Sequence, residues 1–313
     1  MRSSFWTALF ASLLASRAAG LAPAGKTSGG NTFYFAPSGS RVQQNGVNFE
    51  LFALNGTLLH TFENVLSSNT KSTDSPKRRQ NLDATQASAT VNATAANFID
   101  AFNASFVVPP NPTNFESQIL FFGAGLDYHD PTTGEAVASL RAALQYGASF
   151  VSGGSFWSWA LQLVLSPGPN ADFVQFTPVG DNSTTYDVLE VGQRLDSFIV
   201  YDPVYTQEHP GYYWYNAGFA GIAGNGIPDD LYLEVGWETP PTVVKVSLEE
   251  EGVAQASDYP TGSLVFENIT LSMTSEPPAV SWTTSVDSAT DVQVKVDVDG
   301  AQNAQIELVF PDS

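Results

Sequence analysis

The chain has 313 residues, 12 basic against 32 acidic side chains, and no cysteine. That composition excludes disulfide staples, a thiol nucleophile and a thiolate metal site. A formal charge of −20 repels nucleic acid and anionic membranes, so neither is an expected partner.

Arg2, an apolar run over 5–15 and the small residues Ala18-Ala19-Gly20 fit an export signal over 1–20. The run is too short to span a bilayer, and no later stretch reaches the ~20 apolar residues a membrane helix needs. A secreted, extracellular protein is expected. Asn55, Asn92, Asn103, Asn182 and Asn268 each begin an N-glycan acceptor pattern, which agrees with export.

Residues 21–79 read as a pro-segment ending at Lys77-Arg78-Arg79, the type of run that basic-specific processing proteases cut. Charge breaks sharply there. Only four basic residues follow it, against 29 acidic ones. Within the segment, 48–54, Asn55-Gly56 and 57–62 read as a β-hairpin, because both turn residues tolerate positive φ. The hairpin either covers an active face until cleavage or remains part of the mature protein.

From residue 80 onward short strands recur between turn signals. Residues 84–104 are a first strand pair or a short helix, and 139–143 could add a helical turn. Strands are expected over 102–108, 118–122, 142–151, 156–165, 173–178, 186–191, 197–201, 212–219, 231–237, 243–249 and 264–271. The tail alternates strictly over 291–299, turns at Asp299-Gly300 and returns over 304–310. This is an all-β pattern: one domain over 80–313, a two-sheet antiparallel β-sandwich or jelly roll.

Two clusters can carry chemistry. If 142–150 is a strand, Gln145 shares a face with Ala143, Gly147 and Ser149, small neighbours that leave room for a bound chain. Tyr146 points the other way. Trp157 and Trp159 fall together on the next strand, as core or as a binding platform. In 243–249, Val244, Val246 and Leu248 form the apolar face and Lys245, Ser247 and Glu249 the polar one. The acids 249–251 are either a solvated turn or functional. His129 and His209 read as loop residues, and neither has metal-ligand spacing. Asp297-Val298-Asp299-Gly300 reads as a hairpin turn rather than a calcium loop. No metal or cofactor is expected. Tyr212, Tyr213, Trp214 and Tyr215 would suit stacking on sugars. In a glycosidase reading, Glu249 with Glu234 or Glu238 would supply two carboxylates.

Leu144-Gln145-Tyr146-Gly147, Trp157-Ser158-Trp159 and Ser247-Leu248-Glu249 resemble, in order and spacing, the active-site strands of the glutamic peptidases, the eqolisin family. Phe106-Val107-Val108-Pro109 is similar to that family's entry strand, and Val191-Gly192-Gln193-Arg194-Leu195 to one of its turns. The resemblance runs from about 102 to 271. The family's Trp-Val-Gly-x-Asp-Gly strand is represented only by 121–127, without the Trp, and Lys245-Val246 stands where the family has Glu-Trp.

The resemblance implies a secreted, acid-active endopeptidase built as a two-sheet sandwich of concanavalin A-like type. Gln145 and Glu249 would be its dyad, lying on neighbouring strands of one solvent-reachable face. Glu249 would be the general base and Gln145 the oxyanion donor. Tyr146, Trp157, Trp159, Tyr213 and Trp214 are the candidate substrate-binding residues. The partner would be an extracellular polypeptide or, in the second reading, a glycan, met by a monomer. A catalytically inactive relative is the third reading.

Overall fold

A computed structural model describes residues 20–312 except 28–29, 38, 67–84, 117, 131–132, 148–153, 167–170, 177–187, 221–231 and 287–289. Residues 1–19 of the signal segment, Lys77-Arg78-Arg79, the 79/80 boundary, Ser149 and Asn182 lie outside the described residues. The first strands are β1 (Gly25–Lys26), β2 (Thr32–Phe35), β3 (Arg41–Asn45), β4 (Asn48–Phe52), β5 (Leu58–Phe62), β6 (Thr85–Thr90) and β7 (Ile99–Val107). The long central ones are β8 (Ile119–His129), β9 (Ala136–Gly147) and β10 (Trp157–Leu165), followed by β11 (Asp172–Phe176) and β12 (Arg194–Tyr201). Next come β13 (Tyr213–Ala220), β14 (Tyr232–Trp237), β15 (Val243–Glu251) and β16 (Ser263–Met273). The last are β17 (Thr283–Ser285), β18 (Gln293–Val298) and β19 (Ala304–Val309).

A short α-helix, α1 (Pro203–Glu208), starts where Asp202 caps it, accepting from the Tyr205 amide at 2.8 Å, and where proline suits the first turn.

Sheet A has the order β1-β2-β11-β10-β9-β8-β15-β6-β17, and sheet B the order β18-β19-β16-β7-β12-β13-β14-β3-β4-β5. The chain therefore forms the all-β, two-sheet sandwich expected of it. Strand alternation builds the core. Leu140, Ala142, Leu144 and Tyr146 of β9 and Leu120, Phe122 and Leu126 of β8 face inward from sheet A. They meet Phe102 and Phe106 of β7, Ile199 of β12 and Tyr215 of β13 from sheet B. The central strands of sheet A are buried on both faces, which is why β9 is apolar almost throughout.

Three expectations change. Residues 139–143 lie in β9, not in a helical turn. β6 and β7 are not a pair: β6 belongs to sheet A and β7 to sheet B. Of 186–191, the described part holds only an isolated bridge between Leu189 and Trp157.

The Asn-Gly hairpin is present. β4 pairs antiparallel with β5, Gly56 has φ +82°, and Asn55 Oδ1 accepts from the Thr57 amide at 3.0 Å. It is one part of a larger insertion into the sandwich. β2 runs parallel beside β11 in sheet A, and β3 runs parallel beside β14 in sheet B. Every other strand pairing described is antiparallel. Phe33, Tyr34, Val42, Phe49, Leu51 and Phe62 are all buried. At ~1.5–3 kcal/mol for each buried side chain, these six contribute on the order of 10 kcal/mol. That is comparable with the net stability of a whole domain.

Candidate functional site

The register of three strands defines the site. Gln145 of β9 stands opposite Phe121 of β8, and Phe121 stands opposite Glu249 of β15. Directly opposed residues share a face. All three therefore point away from the core, as the alternation of each strand predicts.

Two expectations about this row are corrected. Gln145 and Glu249 are not on neighbouring strands, because β8 lies between them. Their backbones are two strand spacings apart, ~10 Å. Nor is the face solvent-reachable: each of the two residues is 2% exposed.

Arg141, which the sequence reading did not single out, organises the face. It sits four residues before Gln145 on β9, so it points the same way. Its Nη1 forms an ion pair with Glu249 Oε1, and both side chains are buried. Its Nε donates to Gln162 Oε1 at 2.7 Å, Gln162 Nε2 donates to Gln175 Oε1 at 2.7 Å, and Gln175 Nε2 donates to Gln145 Oε1 at 3.3 Å. Gln145 and Glu249 are thus the two ends of one buried polar chain. The guanidinium also lies 5.1 Å from the Phe121 ring centre and 5.7 Å from that of Phe173.

The floor beneath Arg141 is Gly123 and Gly125. A Cβ at Gly123 would stand 3.5 Å from Arg141 Cδ, and one at Gly125 3.3 Å from Arg141 Cβ. Beside this floor, Lys245 Nζ pairs with Asp127 Oδ1 at 3.0 Å, again buried. Arg141 and Lys245 are two of the four cations that follow the tribasic run. A burying charge is tolerated only when paired, and each of these is. The available signal was a lone arginine inside the apolar run Ala138-Ser139-Leu140-Arg141-Ala142-Ala143-Leu144 of a chain poor in cations.

The space read as room for a bound chain is therefore occupied by the protein itself. Glu249 is held by Arg141. Gln145 is drawn toward β11, the side away from β15. The glycine of Leu144-Gln145-Tyr146-Gly147 has a backbone reason. Its φ is +92°, and a Cβ there would fall 2.0 Å from Gln118 O.

Most of the expected binding aromatics are structural, which corrects that reading. Tyr146, Trp157 and Trp159 belong to the core on the opposite face of sheet A, with the Tyr146 and Trp157 rings 4.8 Å apart. The 212–215 platform is split by alternation. Trp214 points outward from sheet B but is buried against α1, 4.8 Å from the Tyr205 ring, over the space left by Gly236. Tyr213 is half-buried beside Phe98 at 4.9 Å, and the Tyr215 hydroxyl donates to Ile99 O at 2.7 Å.

The two-carboxylate glycan arrangement also fails. Glu234, between the core residues Leu233 and Val235, faces outward from sheet B, while Glu249 faces outward from sheet A. Glu238, at the end of β14, accepts from the Gly46 amide at 2.8 Å. Burial, reinforced by the charge of Asp202 and opposed by Arg41, pushes the Glu234 carboxyl up to about 7.

His129 Nδ1 meets Gly134 O at 2.9 Å in the β8–β9 turn, and His209 ends α1 with its ring 4.2 Å from Tyr205. Asp299 closes its hairpin by accepting from the Trp282 and Gly300 amides at 2.8 Å each. Among the described residues no group of three or more His, Cys, Asp or Glu side chains could hold a metal ion. Asn92 and Asn268 are exposed, whereas Asn103 is half-buried and donates through Nδ2 to Thr270 Oγ1 at 3.2 Å.

No protein-family model matches this chain, and no curated protein matches it. Among solved structures, it is similar to SCP-B, a member of the eqolisin family of peptidases solved with the tripeptide Ala-Ile-His. That similarity covers 73% of this chain and 98% of SCP-B, at a TM-score of 0.38 and 8% identity. It is also similar to alginate lyase PA1167 from Pseudomonas aeruginosa, over 72% of this chain and 73% of the lyase, at a TM-score of 0.25 and 10% identity. Likenesses of this size transfer no residue roles.

Proposed function

We propose that this chain is a secreted, acid-active endopeptidase of glutamic type, held latent by the pairing of Arg141 with Glu249. The observation that carries the reading is the single outward row Gln145–Phe121–Glu249, formed by the strands whose motifs resemble the family's. Hydrolysis requires Arg141 to move off Glu249 and Gln145 to leave Gln175. Glu249 then takes a proton from water, whose oxygen bonds to the scissile carbonyl carbon. Gln145 donates to the developing oxyanion. As the C–N bond breaks, Glu249 returns the proton to the leaving amine.

The test is hydrolysis of denatured protein across pH 2–7. Turnover is expected near pH 3–4, unaffected by chelators or thiol reagents. It is expected to be lost in Glu249→Gln protein whose circular dichroism remains native, and to fall by at least ~10²-fold in Gln145→Ala. No turnover at any pH, or turnover unchanged in Glu249→Gln, overturns the reading in favour of an inactive relative.

A further inference from the structure

We infer that residues 24–62 are a permanent part of the sandwich, and that cutting at Lys77-Arg78-Arg79 yields a two-chain protein rather than releasing a pro-segment. This does not rest on the peptidase reading.

A segment that merely shields a groove lies across a sheet face and contributes little to the core. Residues 24–62 do the opposite: they extend both sheets edge-on. β2 hydrogen-bonds along β11, with further contacts from the Thr32 amide to Ala171 O at 2.9 Å and from the Ala36 amide to Gln175 O at 3.1 Å. β3 does the same along β14, where the Glu238 amide donates to Gln44 Oε1 at 3.0 Å. β2 ends at Phe35 in sheet A and β3 begins at Arg41 in sheet B, so two strands close together in sequence cover β11 and β14. Without them, β11 and β14 would both be open edges, which sheets seldom leave uncovered.

The buried side chains agree. Val42, Phe49 and Leu51 are fully enclosed by the same core that holds Tyr215 and Trp237.

The segment also reaches the candidate site. Asn31 Nδ2 donates to Glu251 Oε1 at 2.7 Å, and Asn31 Oδ1 accepts from the Ala171 amide at 2.9 Å. Phe33 stacks on Phe173 at 4.9 Å, and Phe173 lies beside the Arg141 guanidinium. The retained chain is therefore a wall of the Glu249 face, not its removable cover.

The experiment replaces 77–79 with the recognition sequence of a site-specific protease, cuts the purified full chain under native conditions and separates the product by gel filtration. Two fragments are expected to co-elute at the size of the uncut chain and to part only in denaturant. Elution of the fragment after the cut by itself, with the melting temperature of the uncut protein, overturns the inference. A second measurement uses uncut chain. Val42→Ala and Phe49→Ala should lower the main cooperative melting transition by several degrees. A main transition that does not move would mark the segment as an appendage, and would likewise overturn it.

Discussion

The outer faces of the two sheets use the same ionic groups in opposite settings. On sheet A, Arg141–Glu249 and Lys245–Asp127 are buried, with side chains 0–6% exposed. On sheet B, Arg194 pairs with Asp196 at 3.0 Å and Glu267 at 2.6 Å, with side chains 42–47% exposed, and Lys295 reaches Glu307 at 3.3 Å. The difference is a lesson in solvation. An exposed pair exchanges one good environment for another and adds little. A buried pair has lost its water, so each partner depends on the other. The four cations after the tribasic run divide evenly between these regimes.

The strongest way to break this contrast is to remove one partner of the buried pair. Glu249→Gln or Arg141→Met should destabilise the fold by ~3–5 kcal/mol, because the remaining buried charge loses its opposite charge. The double variant Arg141→Met/Glu249→Leu should recover most of that loss. Urea denaturation of the three proteins decides it. An additive double variant would mean the pair does not couple.

A smaller effect is expected within the polar chain. Gln162→Leu strands Arg141 Nε and Gln175 Oε1, and should cost ~2 kcal/mol in the same assay. An unchanged midpoint would show that these bonds are replaceable by water.

Glu234 sharpens the comparison from the other side, as a carboxyl that burial and the charge of Asp202 raise to about 7 although Arg41 stands opposite it and opposes the rise. The folded state holds this proton more tightly than the unfolded chain does. Its contribution to stability is therefore fully present below the ordinary glutamate range and is lost as pH rises toward and through 7, by an amount on the order of 1 kcal/mol. Melting temperatures of the native protein and Glu234→Gln, measured from pH 4 to 8, should diverge above pH 5, with the variant the more stable. Parallel curves would refute the assignment.

The least effect belongs to the exposed pairs. Arg194→Ala should change stability by less than ~1 kcal/mol, and by less still in high salt.

What the sequence by itself determined was local. Period-two alternation put Gln145 with Ala143 and Glu249 with Lys245 and Ser247, away from Leu144 and Leu248, and the structure keeps those faces. Asn55-Gly56 specified its hairpin through a backbone conformation that two residues decide. Tertiary structure alone decided the rest. The insertion of β8 between β9 and β15, the separation of β6 from β7, and the parallel docking of β2 and β3 are choices among strands distant in the chain. Alternation says which way a side chain points, but not which strand lies beside it. Arg141 belongs to the same class. Its long side chain crosses two glycines to meet a carboxylate 108 positions later, and only the assembled sheet brings that partner within reach. Burial of the outer face followed from the same assembly. A polar strand face reads as wet in one dimension, and becomes dry only when the groups it needs are supplied by its neighbours.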